Sequence, residues 1–179
     1  MNLDNLLRGL EIKSKVGRFD RLVSSVETDH RKIQSNSLWV CYRGVSIDAH
    51  QFMSQAIDKQ PIAIVAERMA PSKISPNITY VQVKNSRSAL AQIAANWHHW
   101  PSEKLNLIGI TGTNGKTSTA QFITNIFRSA HLQSAVLGTI GYRLGDTLLP
   151  AQSTTPEPIL LQNLFTKIHQ KKIRKFLYK

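Results

Sequence analysis

A glycine-rich stretch in the second half of the chain carries residue types that suit a nucleotide phosphate. It reads Gly-Ile-Thr-Gly-Thr-Asn-Gly-Lys-Thr-Ser over residues 109–118. Its glycines permit backbone angles that aim successive N–H groups at one anion, and a helix that begins there adds its N-terminus. Lys116 adds a positive charge near the β- and γ-phosphates, and the Thr117 hydroxyl is placed to bind Mg²⁺. The predicted phosphate-binding residues are Gly112, Thr113, Asn114, Gly115, Lys116, Thr117 and Ser118.

The spacing of this P-loop departs from the general pattern at one position. That pattern places a glycine five residues before Gly115, where this chain has Ile110, and Gly109 lies one residue too early. The alternative is a glycine-rich turn that carries a lysine by chance. The flanking elements favour the P-loop, because an apolar run at residues 107–110 precedes the turn and a helical pattern at 122–130 follows it.

The residues before the loop alternate between strand and helix patterns. Runs of β-branched and aromatic residues predict strands at 38–42, 62–66 and 78–83. Apolar residues at helical spacing predict helices at 51–59 and after the cap Asn85-Ser86. The alternation predicts a small N-terminal α/β domain over residues 1–101, with its boundary at residues 101–104. His98 and His99 are adjacent, so on a helix they make a poor metal pair.

The residues after the loop predict the start of a second α/β domain. A strand at 134–139 would complete a right-handed, parallel βαβ unit with the loop strand and helix. Residues 142–149 predict a hairpin around Gly145-Asp146. Thr155 is the predicted cap of a last helix, with Pro156 at its first position, and such a start also offers N–H groups to an anion.

Composition narrows the class of protein. The 179 residues hold one cysteine, so no intramolecular disulfide framework forms. No apolar run reaches membrane-spanning length and no signal peptide is evident, so we expect a cytoplasmic protein. We also expect it to be a monomer. The net charge of +12 raises nucleic-acid binding as an alternative, but six of these charges fall within residues 163–179, and such a run is more often only solvated.

Beyond these patterns, the loop resembles the P-loop of the Mur ligases and the related folylpolyglutamate synthetases, in which this shorter spacing is a family trait. Two further segments are similar to the Mur ligases that add the third amino acid to UDP-N-acetylmuramoyl-dipeptide. One is Leu-Gly-Thr-Ile-Gly-Tyr at 137–142 followed by Ser-Thr-Thr-Pro-Glu at 153–157. The other joins Asp-His-Arg, Leu-Trp-Val, a glycine and Asp-Ala-His, at residues 29–31, 38–40, 44 and 48–50.

This resemblance implies an ATP-dependent amide ligase of peptidoglycan synthesis that uses ATP and Mg²⁺. In the family's reaction ATP phosphorylates a terminal carboxylate, and the amine of diaminopimelate or lysine displaces the phosphate. Lys116 would be the catalytic residue that stabilises the transferring phosphoryl group, and Thr117 the metal ligand. The implied substrate-binding residues are Thr28 and His30 at the uridine end, and Ser153, Thr154 and Thr155 for the sugar-peptide.

Three departures affect the implied substrate contacts and not the ATP loop. His30 stands where the family usually has Ser, and Ser153 where it usually has Asn. Residues 45–47, Val-Ser-Ile, are not a typical uridine loop.

The resemblance covers residues 27–162, the first of three family domains and the opening of the second. We expect residues 105–162 to be a truncated central domain and residues 163–179 a basic tail of non-family sequence, from a frameshift or a truncated gene. A two-stranded start of a sheet would leave the P-loop half poorly packed. We therefore expect no ligase activity and at best weak Mg²⁺-ATP affinity. A P-loop module without ligase activity, or a nucleic-acid binder that uses the tail, are the alternatives.

Overall fold

The structure is a computed structural model that describes residues 1–151, 155–173 and 175–178. It divides into two units, Met1–Trp97 and His98–Lys179. The division falls ahead of the predicted boundary at 101–104, because Pro101–Lys104 forms a short 3-10 helix inside the second unit. No helix among the described residues combines the length and the apolar character needed to span a bilayer.

The first unit is built on a five-stranded sheet with helices around it. Its elements are α1 (Leu3–Leu6), β1 (Ile12–Val16), β2 (Ser25–Glu27), β3 (Ser37–Val40), α2 (Met53–Asp58), β4 (Ala63–Ala66), β5 (Thr79–Val83) and α3 (Ser86–Trp97). The strand order is β1-β5-β4-β3-β2, in which only β1 runs antiparallel to its neighbour. Every residue of β3 and β4 is buried, as expected for central parallel strands covered on both faces.

The predicted strands β3, β4 and β5 and the predicted helix α3 are all present. Asn85 caps α3 as expected, since its side-chain oxygen accepts the N–H of Ser88 at 2.9 Å. The helix predicted at 51–59 begins instead as a 3-10 turn, Ala49–Phe52, and continues as α2. The sequence pattern did not predict β1, because its five residues are all exposed and show no apolar alternation.

The second unit holds another five-stranded sheet. Its elements are β6 (Asn106–Gly109), α4 (Lys116–Ser129), β7 (Ser134–Gly138), β8 (Gly141–Leu144), β9 (Thr147–Leu149), α5 (Pro158–Gln170) and β10 (Lys175–Tyr178). The strand order is β6-β10-β7-β8-β9. The predicted hairpin is β8 and β9, and β6 and β7 share one direction because each pairs in parallel with β10.

The prediction of a two-stranded start was wrong, because the chain's last described strand inserts between β6 and β7. Phe176 and Leu177 of β10 are fully buried, and Phe176 packs edge-on against Phe165 of α5 with ring centroids 5.1 Å apart. Ile168 and Ile173 belong to the same buried cluster. Residues 163–179 therefore include part of a helix and a central strand, and are not a solvated tail.

The predicted start of the last helix was also wrong. Helix α5 begins at Pro158, with Glu157 at the N-cap position. Thr155 lies exposed before the helix and Pro156 is buried outside it. A proline at the first helical position was the correct signal, since the missing N–H costs nothing there, but the second proline of the pair carries it.

Candidate functional site

The P-loop lies between β6 and α4. Gly115 is the N-cap residue of α4 with φ 78°, and Gly112 has φ 143°. Both angles lie where side chains are disfavoured, so the two glycines allow the chain to turn from strand into helix. The N–H of Thr119 bonds to the Gly115 carbonyl at 2.9 Å and closes the first turn. The first N–H groups of a helix have no carbonyl one turn back to bond to. Gly115, as the N-cap residue of α4, has no side chain that could accept from them.

Lys116 lies across the loop. Its ammonium donates to the Gly112 carbonyl at 2.6 Å, and the Thr113 carbonyl lies 3.5 Å away. The loop residues from Thr111 to Gly115 are exposed, while Lys116 and Thr117 are half-buried. Backbone donors and one ammonium thus surround a solvent-facing concavity, which is chemistry that suits a polyanion.

Thr117 lines a small cavity of about 90 Å³ between α4 and the β8–β9 hairpin. Its hydroxyl is the one ligand that the sequence predicted for a metal. Across the parts of the chain that the structure describes, no three His, Cys, Asp or Glu side chains group closely enough to hold a metal ion. His98 lies beside Thr166, 3.4 Å from its hydroxyl, and burial lowers the pKa of its imidazole.

A second concave surface lies in the first unit and contains both residues predicted for the uridine end. Thr28 and His30 line a groove of about 670 Å³. The His30 ring stacks on Phe52 with centroids 4.1 Å apart and planes 13° from parallel. Tyr42 and Ile47 complete an apolar lining, of which the sequence reasoning had considered only the segment 45–47 that contains Ile47. Flat aromatic surfaces beside polar groups suit a planar heterocycle with a charged extension.

The polar rim of this groove is fixed by local hydrogen bonds. The Asp29 carboxylate caps the 3-10 helix His30–Lys32 and accepts two parallel bonds from Arg31, at 3.0 and 2.8 Å. The Arg31 side chain holds the pKa of Asp29 well below its usual range. Trp39, fully buried, donates its indole N–H to the Thr28 carbonyl at 3.2 Å and ties the groove to β3. The Asp-His-Arg segment is thus a rigid corner of the groove.

The Asp-Ala-His segment forms a hydrogen-bonded cluster beside Ile47 and Ala49, two residues that line the same groove. The His50 ring is almost fully buried, and its Nδ1 lies 2.6 Å from an oxygen of Asp48. Its Nε2 accepts the N–H of Glu67 at 3.4 Å, and Arg68 donates to the other Asp48 oxygen at 2.8 Å. Hydrogen bonds from the His50 backbone N–H and then from its ring lower the pKa of Asp48. This cluster joins the loop after β3 to the end of β4.

The structure thus gathers the predicted residues into two places, one in each unit. Residues 112–118 lie together at the start of α4, and Thr28 and His30 share the groove. Ser153 and Thr154, predicted for the sugar-peptide, lie outside the described residues. Thr155 is described and exposed.

The fold and the loop together agree with a family match. Residues 110–178 match the family described as the Mur ligase middle domain, which assigns this part of the second unit to that family. The match begins inside the P-loop and ends in β10. The prediction that family sequence stops after residue 162 was therefore wrong, and with it the frameshift that the prediction invoked.

Known proteins narrow the resemblance within the family. The chain is 37% identical, over 94% of its length, to the UDP-N-acetylmuramoyl-L-alanyl-D-glutamate–2,6-diaminopimelate ligase of Bacillus licheniformis. A solved structure of a ligase of that name superposes with a TM-score of 0.69 and 19% identity, covering 99% of this chain and 35% of that one. The MurF ligase of Thermotoga maritima in complex with ADP superposes with a TM-score of 0.50 and 20% identity, covering 88% of this chain and 31% of that one. The chain spans 34% of the Bacillus licheniformis relative.

Proposed function

We propose that this chain supplies the nucleotide-binding loop and the UDP-binding groove of an ATP-dependent ligase. The ligase adds the third residue, diaminopimelate or lysine, to UDP-N-acetylmuramoyl-L-alanyl-D-glutamate in the cytoplasm. The observation that carries the proposal is the P-loop at 109–118, which has a family-type sequence, lies between a parallel strand and a helix N-terminus, and has its lysine over the loop.

At the P-loop, the residues bind and position the phosphates. The N–H groups of the first turn of α4 and of the loop donate to phosphate oxygens. Lys116 leaves the Gly112 carbonyl and places its ammonium on the phosphoryl group that is transferred, where it stabilises developing negative charge. The Thr117 hydroxyl supplies one ligand to Mg²⁺. ATP supplies the phosphoryl group that activates the substrate carboxylate for attack by the incoming amine.

At the groove, His30 and Phe52 present a stacked aromatic surface to the uracil ring or its ribose-phosphate neighbour. The Thr28 hydroxyl and the exposed Arg31 guanidinium lie at the same rim and donate to the diphosphate. Thr155, with Ser153 and Thr154, contributes to binding of the sugar-peptide. In the cell we expect this protein to be a monomer.

Catalysis by the 179-residue chain alone is not part of the proposal. Phosphoryl transfer needs groups placed around the phosphate from several sides, and among the described residues no three His, Cys, Asp or Glu side chains group closely enough to hold a metal ion. We expect weak Mg²⁺-ATP binding, measurable UDP-sugar-dipeptide binding and no tripeptide product. Formation of tripeptide by the purified chain would overturn this expectation.

The binding roles of the loop and the groove are tested by two variants, each of which is expected to weaken binding of one ligand and not of the other. Lys116→Ala is expected to weaken Mg²⁺-ATP binding at least about tenfold, the loss of one charge-assisted contact, and to leave UDP-sugar-dipeptide binding unchanged. Phe52→Ala is expected to do the reverse. Titration calorimetry with each ligand measures both, and Lys104→Ala, an exposed lysine of the same unit, is the control for charge alone. Unchanged ATP affinity in Lys116→Ala would refute the assignment of the loop.

A nucleic-acid-binding role gains no support from the fold. The chain's last seventeen residues, which suggested it, include six buried apolar side chains among those described: Leu164, Phe165, Ile168, Ile173, Phe176 and Leu177. The segment is explained by its packing against β7 and β8. Salt-dependent DNA binding that is lost in Lys171→Ala/Lys172→Ala would revive this alternative.

A further inference from the structure

One side of helix α4 carries polar residues along most of its length. At about 100° per residue, four of them fall within about 60° of one another. They are Thr117, Gln121, Thr124 and Arg128. All four line the cavity between α4 and the β8–β9 hairpin, whereas an amphipathic helix ordinarily turns apolar residues toward its own sheet. The helix thus presents hydrogen-bonding groups, and not an apolar stripe, to the hairpin.

Two arginines line this cavity from different elements. Arg128 belongs to the last turn of α4, and Arg143 belongs to β8. Along β8, Tyr142 and Leu144 are buried in the core of the unit and Arg143 between them is exposed, so the alternation directs its side chain to the other face of the sheet. The two guanidinium groups therefore border one concave surface, one from the helix and one from the strand.

The same two arginines also line a second cavity of about 260 Å³. Its lining further includes Thr124, His131, Gln133, Ser134 and Asp146. The N–H of Gly145 bonds to the Ser134 carbonyl at 3.2 Å and fixes the hairpin turn against the start of β7. Pockets for drug-sized ligands occupy roughly 300–1,000 Å³, so this cavity suits a small ion or one end of a larger ligand.

The arginines of this surface differ from those of the first unit in their partners. Three arginines of the first unit each pair with an aspartate: Arg18, Arg31 and Arg68. Within the described parts of the chain, neither Arg128 nor Arg143 pairs with a carboxylate, although Asp146 borders the second cavity. The last carbonyls of α4 attract a cation, which accounts for Arg128 alone. Two like charges at one concave surface repel each other, and an anion bound between them relieves that repulsion.

We propose that Arg128 and Arg143 form a second oxyanion site, separate from the P-loop, whose ligand is a phosphate group. Each guanidinium offers a planar fork of donors that matches two phosphate oxygens. The Gln133 amide and the Ser134 hydroxyl lie in the same lining and supply neutral donors. Thr117 at the P-loop and Arg128 are eleven residues apart, about 16 Å along α4, so one phosphate group does not reach both.

The site is tested by titrating inorganic phosphate into the 179-residue protein at constant ionic strength, with NMR of the backbone amides. We expect saturating shifts at residues 128–134 and 143–146, while residues 112–117 report the P-loop separately. Arg128→Ala/Arg143→Ala is expected to weaken binding at residues 128–134 at least tenfold, the loss of charge-assisted contacts. Asp146→Asn is expected to strengthen binding at least about twofold, because it removes an opposing charge and asparagine suits the turn equally well.

Phenyl phosphate, titrated in parallel, distinguishes two sources of the ligand. Affinity equal to that of inorganic phosphate assigns the site to free phosphate, and higher affinity assigns it to the phosphate group of a larger molecule. Either result supports the site.

The matched control is Lys104→Ala/Lys167→Ala, which removes two exposed charges elsewhere in the same unit and is expected to leave phosphate binding unchanged. Lys116→Ala is expected to remove the response at residues 112–117 only, so failure of this site and failure of the proposed loop function are distinguishable. The proposal is overturned by the absence of saturating shifts at residues 128–134, by equal weakening in both double variants, or by loss of these shifts in Lys116→Ala. The dispersion of each amide spectrum shows that the variant remains folded.

Discussion

Strands β4 and β6 have similar lengths and apolar character but opposite surroundings. In the first unit, β4 lies at the centre of its sheet between β3 and β5, and all four of its residues are fully buried. In the second unit, β6 lies at an edge, and three of its four residues are exposed. The first sheet ends in a charged strand and a short one, whereas the second ends in an uncharged, apolar strand.

This difference shows how an apolar run can be compatible with either position. A run without alternation is expected of a strand covered on both faces, and β4 is covered on both. The apolar run of β6 lacks alternation as well, but the described residues leave most of this strand exposed. Helix α4 repeats the contrast within its own unit, because Ala120 is its single buried residue among those described, while α5 buries Leu164, Phe165 and Ile168.

The largest expected difference in the free energy of unfolding is between matched substitutions in the two helices of the second unit. Phe165→Ala in α5 removes a buried ring that packs against Phe176, and is expected to lower the free energy of unfolding by about 3–5 kcal/mol. Phe122→Ala in α4 removes a ring that is 68% exposed, and is expected to change it by less than about 1 kcal/mol. Urea denaturation followed by circular dichroism measures both. Equal losses would show that α4 is packed as tightly as α5.

The two strands provide the next difference. Ile64→Ala in β4 leaves a cavity in a fully buried position and is expected to cost about 2–5 kcal/mol. Leu107→Ala in β6 is expected to cost less than about 1 kcal/mol, because the side chain is already 46% exposed. Hydrogen exchange read from peptides of each unit assigns the loss to that unit. A cost for Leu107→Ala that matches Ile64→Ala would contradict the exposed edge.

The hydrogen-bonded cluster of Asp48, His50 and Arg68 makes a contribution to stability that depends on pH. Asp48→Asn removes charge-assisted hydrogen bonds and is expected to cost about 1–3 kcal/mol at pH 7. Because the pKa of Asp48 is lowered in the folded state, its contribution is present above the ordinary value of 3.8 and is lost as the pH falls through the folded value. The stability difference between wild type and Asp48→Asn should therefore shrink on acidification below about pH 4.

The control for this pH dependence is Asp20→Asn. Asp20 pairs with Arg18 at 2.9 Å, but both side chains are mostly exposed, so solvent screens the pair. We expect this variant to show no measurable change at pH 7. Thermal unfolding at pH 7, 5 and 3 compares the three proteins, and a wild-type advantage over Asp48→Asn that grows with acidification would contradict the assigned sign.

The two glycines of the loop provide the smallest difference. Gly115→Ala places a side chain at φ 78° and is expected to cost about 1 kcal/mol from backbone strain alone, since no atom lies within 4 Å of the added Cβ. Gly109→Ala also meets no atom within 4 Å and has no positive φ, so we expect a change of a few tenths of a kcal/mol at most. Thermal unfolding measures both, and equal effects would show that the turn tolerates either residue.

The sequence was sufficient for elements with strong local signals. The glycine pair of the P-loop, the Asn85 cap of α3 and the hairpin at Gly145-Asp146 each have a local physical cause, and each was predicted. Strand β1 has no such cause, because its pairing with β5 is set by residues nearly seventy positions away. The insertion of β10 between β6 and β7 is equally non-local. The many lysines near it obscured the apolar Phe176-Leu177 pair that drives it into the core.

The site was predictable to the same extent. The loop residues were identified from their types and spacing, and Thr28 and His30 from family resemblance. The aromatic lining of the groove by Tyr42 and Phe52 was not identified, because two residues ten positions apart reveal their common surface only when the chain folds. The side chains of Asp48 and His50, whose segment was noted only as part of the family resemblance, bond to each other and to the residues that follow β4.

Because the Lys116 ammonium donates a hydrogen bond to the Gly112 carbonyl, this carbonyl competes with any bound anion for the lysine. An anion that binds the lysine must replace this neutral acceptor, so a weakly charged ligand gains little binding free energy from the exchange. A polyphosphate gains more, because several loop N–H groups bind it in the same event. The Gly112 carbonyl should therefore disfavour binding of weakly charged anions. Titration with phosphate, diphosphate and triphosphate is expected to show an affinity that rises more steeply than the ligand charge alone predicts.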